Sequence, residues 1–138
     1  MRARARLQRT PAYRRVVSAV WTVLGSTMAL AHLVLVVVLI VGGPVALRRP
    51  WFVRVHVPAA IATAGVFALG ADCPLTIWQK YFIRRAGRAP YEGGFLEHYL
   101  VEPLTGSGVT PMVNLAIVTV WVLPTVVAYA LLIRRRVV

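Results

Sequence analysis

Acidic residues are nearly absent from this sequence. Four Asp and Glu stand against sixteen Lys and Arg in 138 residues, a net charge of +12. Charge of either sign is also scarce, at 14% of the chain, where soluble domains carry roughly 25%. With 59% apolar residues and a mean hydropathy of +0.71, that scarcity excludes a water-soluble globule and a disordered chain. Cysteine occurs once, as Cys73, which excludes an internal disulfide and an all-cysteine metal site within one chain. In a polar protein the basic excess would point to nucleic acid. Here the charges sit at the ends of long apolar runs, where membrane proteins keep topology signals, so no nucleic-acid partner is expected. The length allows a single membrane domain, residues 1–138.

What is present is organised by those runs. Residues 1–15 form a basic tail with six arginines and no acid, and Val16 to Leu47 then carries no charge over 32 residues. About 20 residues cross a bilayer. The pattern predicts a retained helix over about 18–41, stopped by Gly42-Gly43-Pro44. A short basic loop with Arg48 and Arg49 leads through Trp51 and Phe52, which read as interfacial anchors, into a second span over about 51–71. A third is expected over about 110–133, opened by Pro111, kinked at Pro124 and ended by Arg134-Arg135-Arg136.

Residues 72–105 differ in kind. All four acids lie there, with Lys80, Arg84, Arg85, Arg88 and six of the thirteen aromatics. Pro74 can open a short amphipathic helix with Leu75, Trp78, Tyr81 and Phe82 on one arc and Thr76, Gln79, Lys80 and Arg84 on the other. Gly87 to Gly94 reads as a turn, and Phe95 to Val101 as a second short helix ended before Pro103. The expected fold is therefore an all-α integral membrane protein: three transmembrane helices, with one or two short interfacial helices between the second and third. The aromatics predict that this segment docks on the bundle, since exposed rings would forfeit about 1.5–3 kcal/mol each. With the N-terminus inside, ten Lys and Arg are cytoplasmic and six are outside, which favours a cytoplasmic N-terminus.

Two groups of residues could carry chemistry. His32 continues the small-residue stripe Ser18, Thr22, Gly25, Ala29 on the first helix, and His56 continues Ala60, Ala64, Ala68 on the second. Small stripes mark close helix approach, so both imidazoles should face the interior, at depths about 6 Å apart. They are the candidate cofactor-binding residues, although two histidines are too few for most metal sites and no metal site is expected. The commoner role for each is a hydrogen bond that helps to hold the helices together. The second group is Cys73, Glu97 and His98. Cys73 precedes Pro74 at a helix N-terminus, where backbone amides favour a thiolate, and His98 lies four residues before Glu102, which could orient its ring. These three are the candidate catalytic residues, expected to converge if a site exists.

At these residues the chain resembles a family of small bacterial membrane proteins known only as domain of unknown function 2784. The matching elements are Ala31-His32-Leu33, His56-Val57-Pro58-Ala59, Cys73-Pro74-Leu75-Thr76 and the run Tyr91 to Leu100, spread over about residues 25–130. Gln79 stands where the resemblance implies an acid. The resemblance implies a membrane protein and supplies no activity or cofactor. Small size and an incomplete catalytic set point to a non-catalytic accessory or interaction subunit, whose partners are the lipid bilayer and other membrane subunits or a second copy. The alternative is a small membrane enzyme or a redox, metal- or haem-binding protein.

Overall fold

A computed structural model describes residues 10–137, and among them there is no strand. The chain starts with α1 (Pro11–Arg48), 38 residues capped by Thr10, whose hydroxyl accepts from the Tyr13 amide. At 1.5 Å per residue α1 is about 57 Å long, nearly twice the hydrocarbon thickness of a bilayer. A 3₁₀ turn (Pro50–Phe52) leads into α2 (Val53–Ala68), followed by α3 (Pro74–Arg85), a π-turn (Glu97–Val101), the short α4 (Glu102–Thr105) and α5 (Pro111–Val137). Three helical stretches are long and apolar enough to cross a membrane: Pro11–Arg48, Pro50–Ala68 and Pro111–Arg135. The expected all-helical membrane bundle is thus the observed one. Of the basic tail expected over 1–15, residues 1–9 lie outside the described residues, and Arg14 and Arg15 belong to the start of α1.

The helix break expected at Gly42-Gly43-Pro44 does not occur; α1 runs through it to Arg48. The reason is tertiary. A Cβ on Gly42 would overlap the His56 imidazole, and one on Gly43 would lie 2.9 Å from Thr125 Cα. The glycine pair is where α2 and α5 close onto α1, and that packing holds the helix together across Pro44, as neighbouring helices do for prolines inside membrane spans. Pro124 sits opposite, inside α5, where the Thr125 hydroxyl donates to the Trp121 carbonyl in the turn that the proline disrupts.

α1 is the hub: α3, α5 and, less extensively, α2 all pack on it. α3 runs antiparallel along its first half, with Phe82 and Ile83 against Gly25 and the Ser18 hydroxyl donating to the Ala86 carbonyl at 2.8 Å. The stripe on α1 therefore seats α3. Schellman turns stop α2 at Gly70 (φ +58°) and α3 at Gly87 (φ +81°), conformations that only glycine adopts without strain.

The faces of two helices differ from expectation. On α3 the residues turned inward are Thr76 and Gln79, 3% and 1% exposed, while Ile77 and Trp78 are over half exposed. A lipid-side helix has no reason to hide its apolar arc, so the polar groups take the interior, where they find partners. On α2 only His56 is fully buried; Ala64 and Ala68 face outward. The second short helix also does not end before Pro103. The π-turn shifts the ladder, with the Glu102 amide bonding Glu97 O, and Pro103 opens α4 instead.

Candidate functional site

His56 is fully buried and fully engaged. Its Nε2 donates to the Leu39 carbonyl, which can only accept, at 3.3 Å, and its Nδ1 pairs with the Tyr129 hydroxyl at 2.9 Å. The ring bolts α1, α2 and α5 together opposite Gly42. Leu39 and Gly42 lie seven and ten residues beyond His32 along α1, so the two histidines stand roughly 10–15 Å apart along the axis. They do not form the pair at similar depth that the sequence led us to expect. Continuation of α1 past Gly42 and the turn Pro50–Phe52 set His56 further from His32 than spans of 18–41 and 51–71 imply.

A polar knot fastens α3 to the segment after it. The Gln79 amide is engaged at both ends: Nε2 donates to the Tyr99 hydroxyl at 2.9 Å, and Oε1 accepts from the Tyr91 hydroxyl at 3.0 Å. His98 stacks on Tyr91 with centroids 4.3 Å apart and planes 3° from parallel, edge-on to Tyr99. Its Nδ1 meets Glu102 at 3.3 Å, the i, i+4 pair expected, in a half-exposed setting where such pairs contribute little. Burial pushes the Tyr91 hydroxyl up to about 12, reinforced by the nearby Tyr99 and Cys73 and opposed by a hydrogen bond from Thr76.

Glu97 has a different task. One carboxylate oxygen accepts from the Gly94 amide and the other from the Val109 amide, each at 3.2 Å, and side chains at Gly93 or Gly108 would collide with it. It staples the turn before α4 to the entry of α5. Cys73, Glu97 and His98 therefore do not converge. Cys73 caps α3 and faces one cavity, His98 borders another recess beside Gly25 and Arg88, and Glu97 is occupied with backbone. Among the described residues no three of His, Cys, Asp and Glu come together as a metal site would require.

The cavity that Cys73 faces also receives His32. It is an apolar chamber of about 490 Å³ on the face of α1, between α2 and α5. Those two helices meet at His56–Tyr129 and at Phe67–Trp121, centroids 6.4 Å apart. His32, 7% exposed, stacks on Phe95 with centroids 4.0 Å apart, and its Nδ1 is buried with no hydrogen-bond partner. The structure thus joins one member of each expected group, His32 and Cys73, and separates each from its expected companions. The knot of Thr76, Gln79, Tyr91 and Tyr99 was missed by sequence reasoning. The signal was a pair of uncharged polar residues three apart on a short helix, which share one face.

A family model described as "Protein of Unknown function (DUF2784)" matches residues 22–130, a stretch that contains the chamber, the knot and the His56 bolt. No curated protein matches the chain, and no solved structure does. The chain belongs to the family known as domain of unknown function 2784.

Proposed function

We propose that this protein is a non-catalytic accessory subunit of an assembly in the bacterial plasma membrane, with its N-terminus in the cytoplasm. The observation that carries this is the employment of the reactive side chains. Both nitrogens of His56 and both oxygens of Glu97 are spent on holding helices and turns. Cys73 and His98, which could have formed a nucleophile and base, face different cavities. General acid–base or nucleophilic catalysis needs such groups within hydrogen-bond reach of one reacting atom. The orientation rests on the distribution of Lys and Arg, ten against six. With α3 docked on the first half of α1, Arg14, Arg15, Arg84, Arg85 and Arg88 then share the cytoplasmic end, where anionic lipid or an acidic partner surface would meet them.

Purification in mild detergent tests the proposal, with mass spectrometry of co-purifying proteins, an absorption spectrum and metal analysis. A stoichiometric membrane partner, or a defined homo-oligomer, is the expected result. A bound chromophore or stoichiometric metal would replace it with the second reading, a redox or haem protein, which the shared placement of His32 and Cys73 favours over other enzyme classes.

A further inference from the structure

We propose that the chamber between α2 and α5 binds a neutral membrane amphiphile: a long apolar chain ending in a hydroxyl or carbonyl oxygen, held by His32. Three properties of the chamber define that occupant. Its wall includes no Asp, Glu, Lys or Arg, so an ionic headgroup would be buried without a counter-charge, at prohibitive cost. Its size receives no more than a single turn of a partner helix. A helix with side chains is 10–12 Å across and rises 5.4 Å per turn, or roughly 400–600 Å³ per turn; a chamber of about 490 Å³ admits about one turn. It lies within the range for small organic ligands. Pure hydrocarbon is the remaining alternative, and His32 argues against it.

Buried polar groups in native proteins are almost always hydrogen-bonded, and each exception calls for an explanation. His32 is that exception, for Nδ1 is sealed from solvent and unpartnered while the ring borders the chamber. His56, on the same bundle, has both nitrogens satisfied by protein groups, so the fold is able to pair a buried imidazole and does not do so here. Phe95 fixes the plane of the His32 ring, 8° from its own. Half a turn of the imidazole about its Cβ–Cγ bond preserves that stack and exchanges a nitrogen for a carbon on each edge. An oxygen entering from the chamber is therefore met by a ring nitrogen. The headgroup then lies at the level of Cys73 and Leu96, and the chain extends along Leu35 and Leu39 toward Ala116 and Trp121.

This goes beyond the accessory role and is independent of it. The test uses the full chain in nanodiscs of dioleoyl phosphatidylcholine and a photoactivatable, diazirine-bearing hexadecanol. Labelled peptides should be those of the chamber wall, saturably, with displacement by unlabelled hexadecanol and not by hexadecane. His32→Leu should raise the concentration for half-labelling about tenfold, the loss of one hydrogen bond, and His32→Gln should restore most of it. Ala116→Phe, which narrows the chamber from α5, should abolish labelling. Labels spread evenly over the lipid-facing helices, equal displacement by hexadecane, or an unchanged half-point in His32→Leu would each overturn the proposal. So would persistent labelling in Ala116→Phe, the variant that decides the matter should the His32 variants fail to fold. None of these results touches the accessory role, which stands or falls on co-purification.

Discussion

The two halves of α1 are packed by different means. Along its first half α3 lies close, with Gly25 facing Phe82 and Ile83, Trp21 stacked on Phe82 at 5.8 Å, and a hydrogen-bonded polar knot behind. Along its second half α2 and α5 approach closely at Gly42 and Gly43 and then diverge around a chamber of about 490 Å³. In a soluble protein such a gap would cost on the order of 20–30 cal/mol per Å³ of true cavity. In a membrane a gap open to lipid is filled by chains as apolar as the side chains around it, so the bundle loses little by staying open. The tight half keeps its geometry through polar bonds, and the loose half through one histidine bolt and two glycines. Each can be broken without the other.

The largest effect should come from the bolt. Gly42→Leu drives a side chain into the His56 ring and so severs its bonds to Leu39 and Tyr129. Overpacking at about 1–3 kcal/mol and a buried unpaired imidazole at a similar cost sum to roughly 2–6 kcal/mol. Equilibrium unfolding in mixed detergent micelles should record that loss. Hydrogen exchange should quicken in α2 and α5 while amides of α3 stay protected. Equal loss of protection in α3 would show the halves to be one cooperative unit.

Next in size is the knot. Gln79→Leu leaves the hydroxyls of Tyr91 and Tyr99 without the amide that joins them, at about 1–3 kcal/mol. The exchange pattern should be the reverse, with faster exchange over residues 89–101 and an unaffected second half. Gln79→Glu restores an acceptor for Tyr91 and should recover part of the loss. If protection over 89–101 survives Gln79→Leu, the aromatic stacking of Tyr91, His98 and Tyr99 alone holds the segment.

A smaller effect follows from pH. The Tyr91 pKa in the folded protein, about 12, lies above its ordinary value of 10 because burial disfavours the phenolate. A raised pKa means that the unfolded chain gives up this proton first. The contribution is therefore complete below about pH 10 and is lost as pH rises toward 12. Tyrosinate absorbance should show a late-titrating component that Tyr91→Phe reduces by one group. Alkaline loosening between those limits should begin in residues 89–101. An early-titrating Tyr91 would mean that the knot opens readily to water.

How far this architecture could be read from sequence divides along the same line. The three spans were legible because 20-residue uncharged runs have no soluble alternative. The inward face of His32 was legible because the small-residue stripe on α1 marks it, whereas the stripe that continues from His56 turns outward at Ala64 and Ala68. The site was not, for two reasons. Glu97, His98 and Cys73 share one segment between spans, but Glu97 is diverted by the amides of Gly94 and Val109, and the latter comes from beyond α4. And the burial rule for α3 runs the other way beside lipid: Thr76 and Gln79 turn inward and Trp78 outward, so an amphipathic pattern fixes the helix without fixing which face it hides.

The smallest expected effect is at Ala64, and it sharpens the same distinction. On sequence grounds Ala64 continues the stripe that leads from His56 through Ala60, so a leucine there should force two backbones apart. In the structure Ala64 is exposed, and the chamber is lined instead by Ala62, Thr63, Val66 and Phe67. α2 is buried at His56 and meets α5 again through Phe67 and Trp121, but Ala64 and Ala68 lie on its exposed side, so that part of the small stripe meets no helix. Ala64→Leu should therefore change stability by no more than about 0.5 kcal/mol, as outward substitutions usually do. Val66→Leu, which points at the chamber, is the matched comparison and should also be tolerated, because open space receives the added bulk. Thermal unfolding of both variants in one detergent decides it. A loss of about 2 kcal/mol at Ala64 with none at Val66 would mean that another helix, from a partner or a second copy, covers the stripe in the assembled protein.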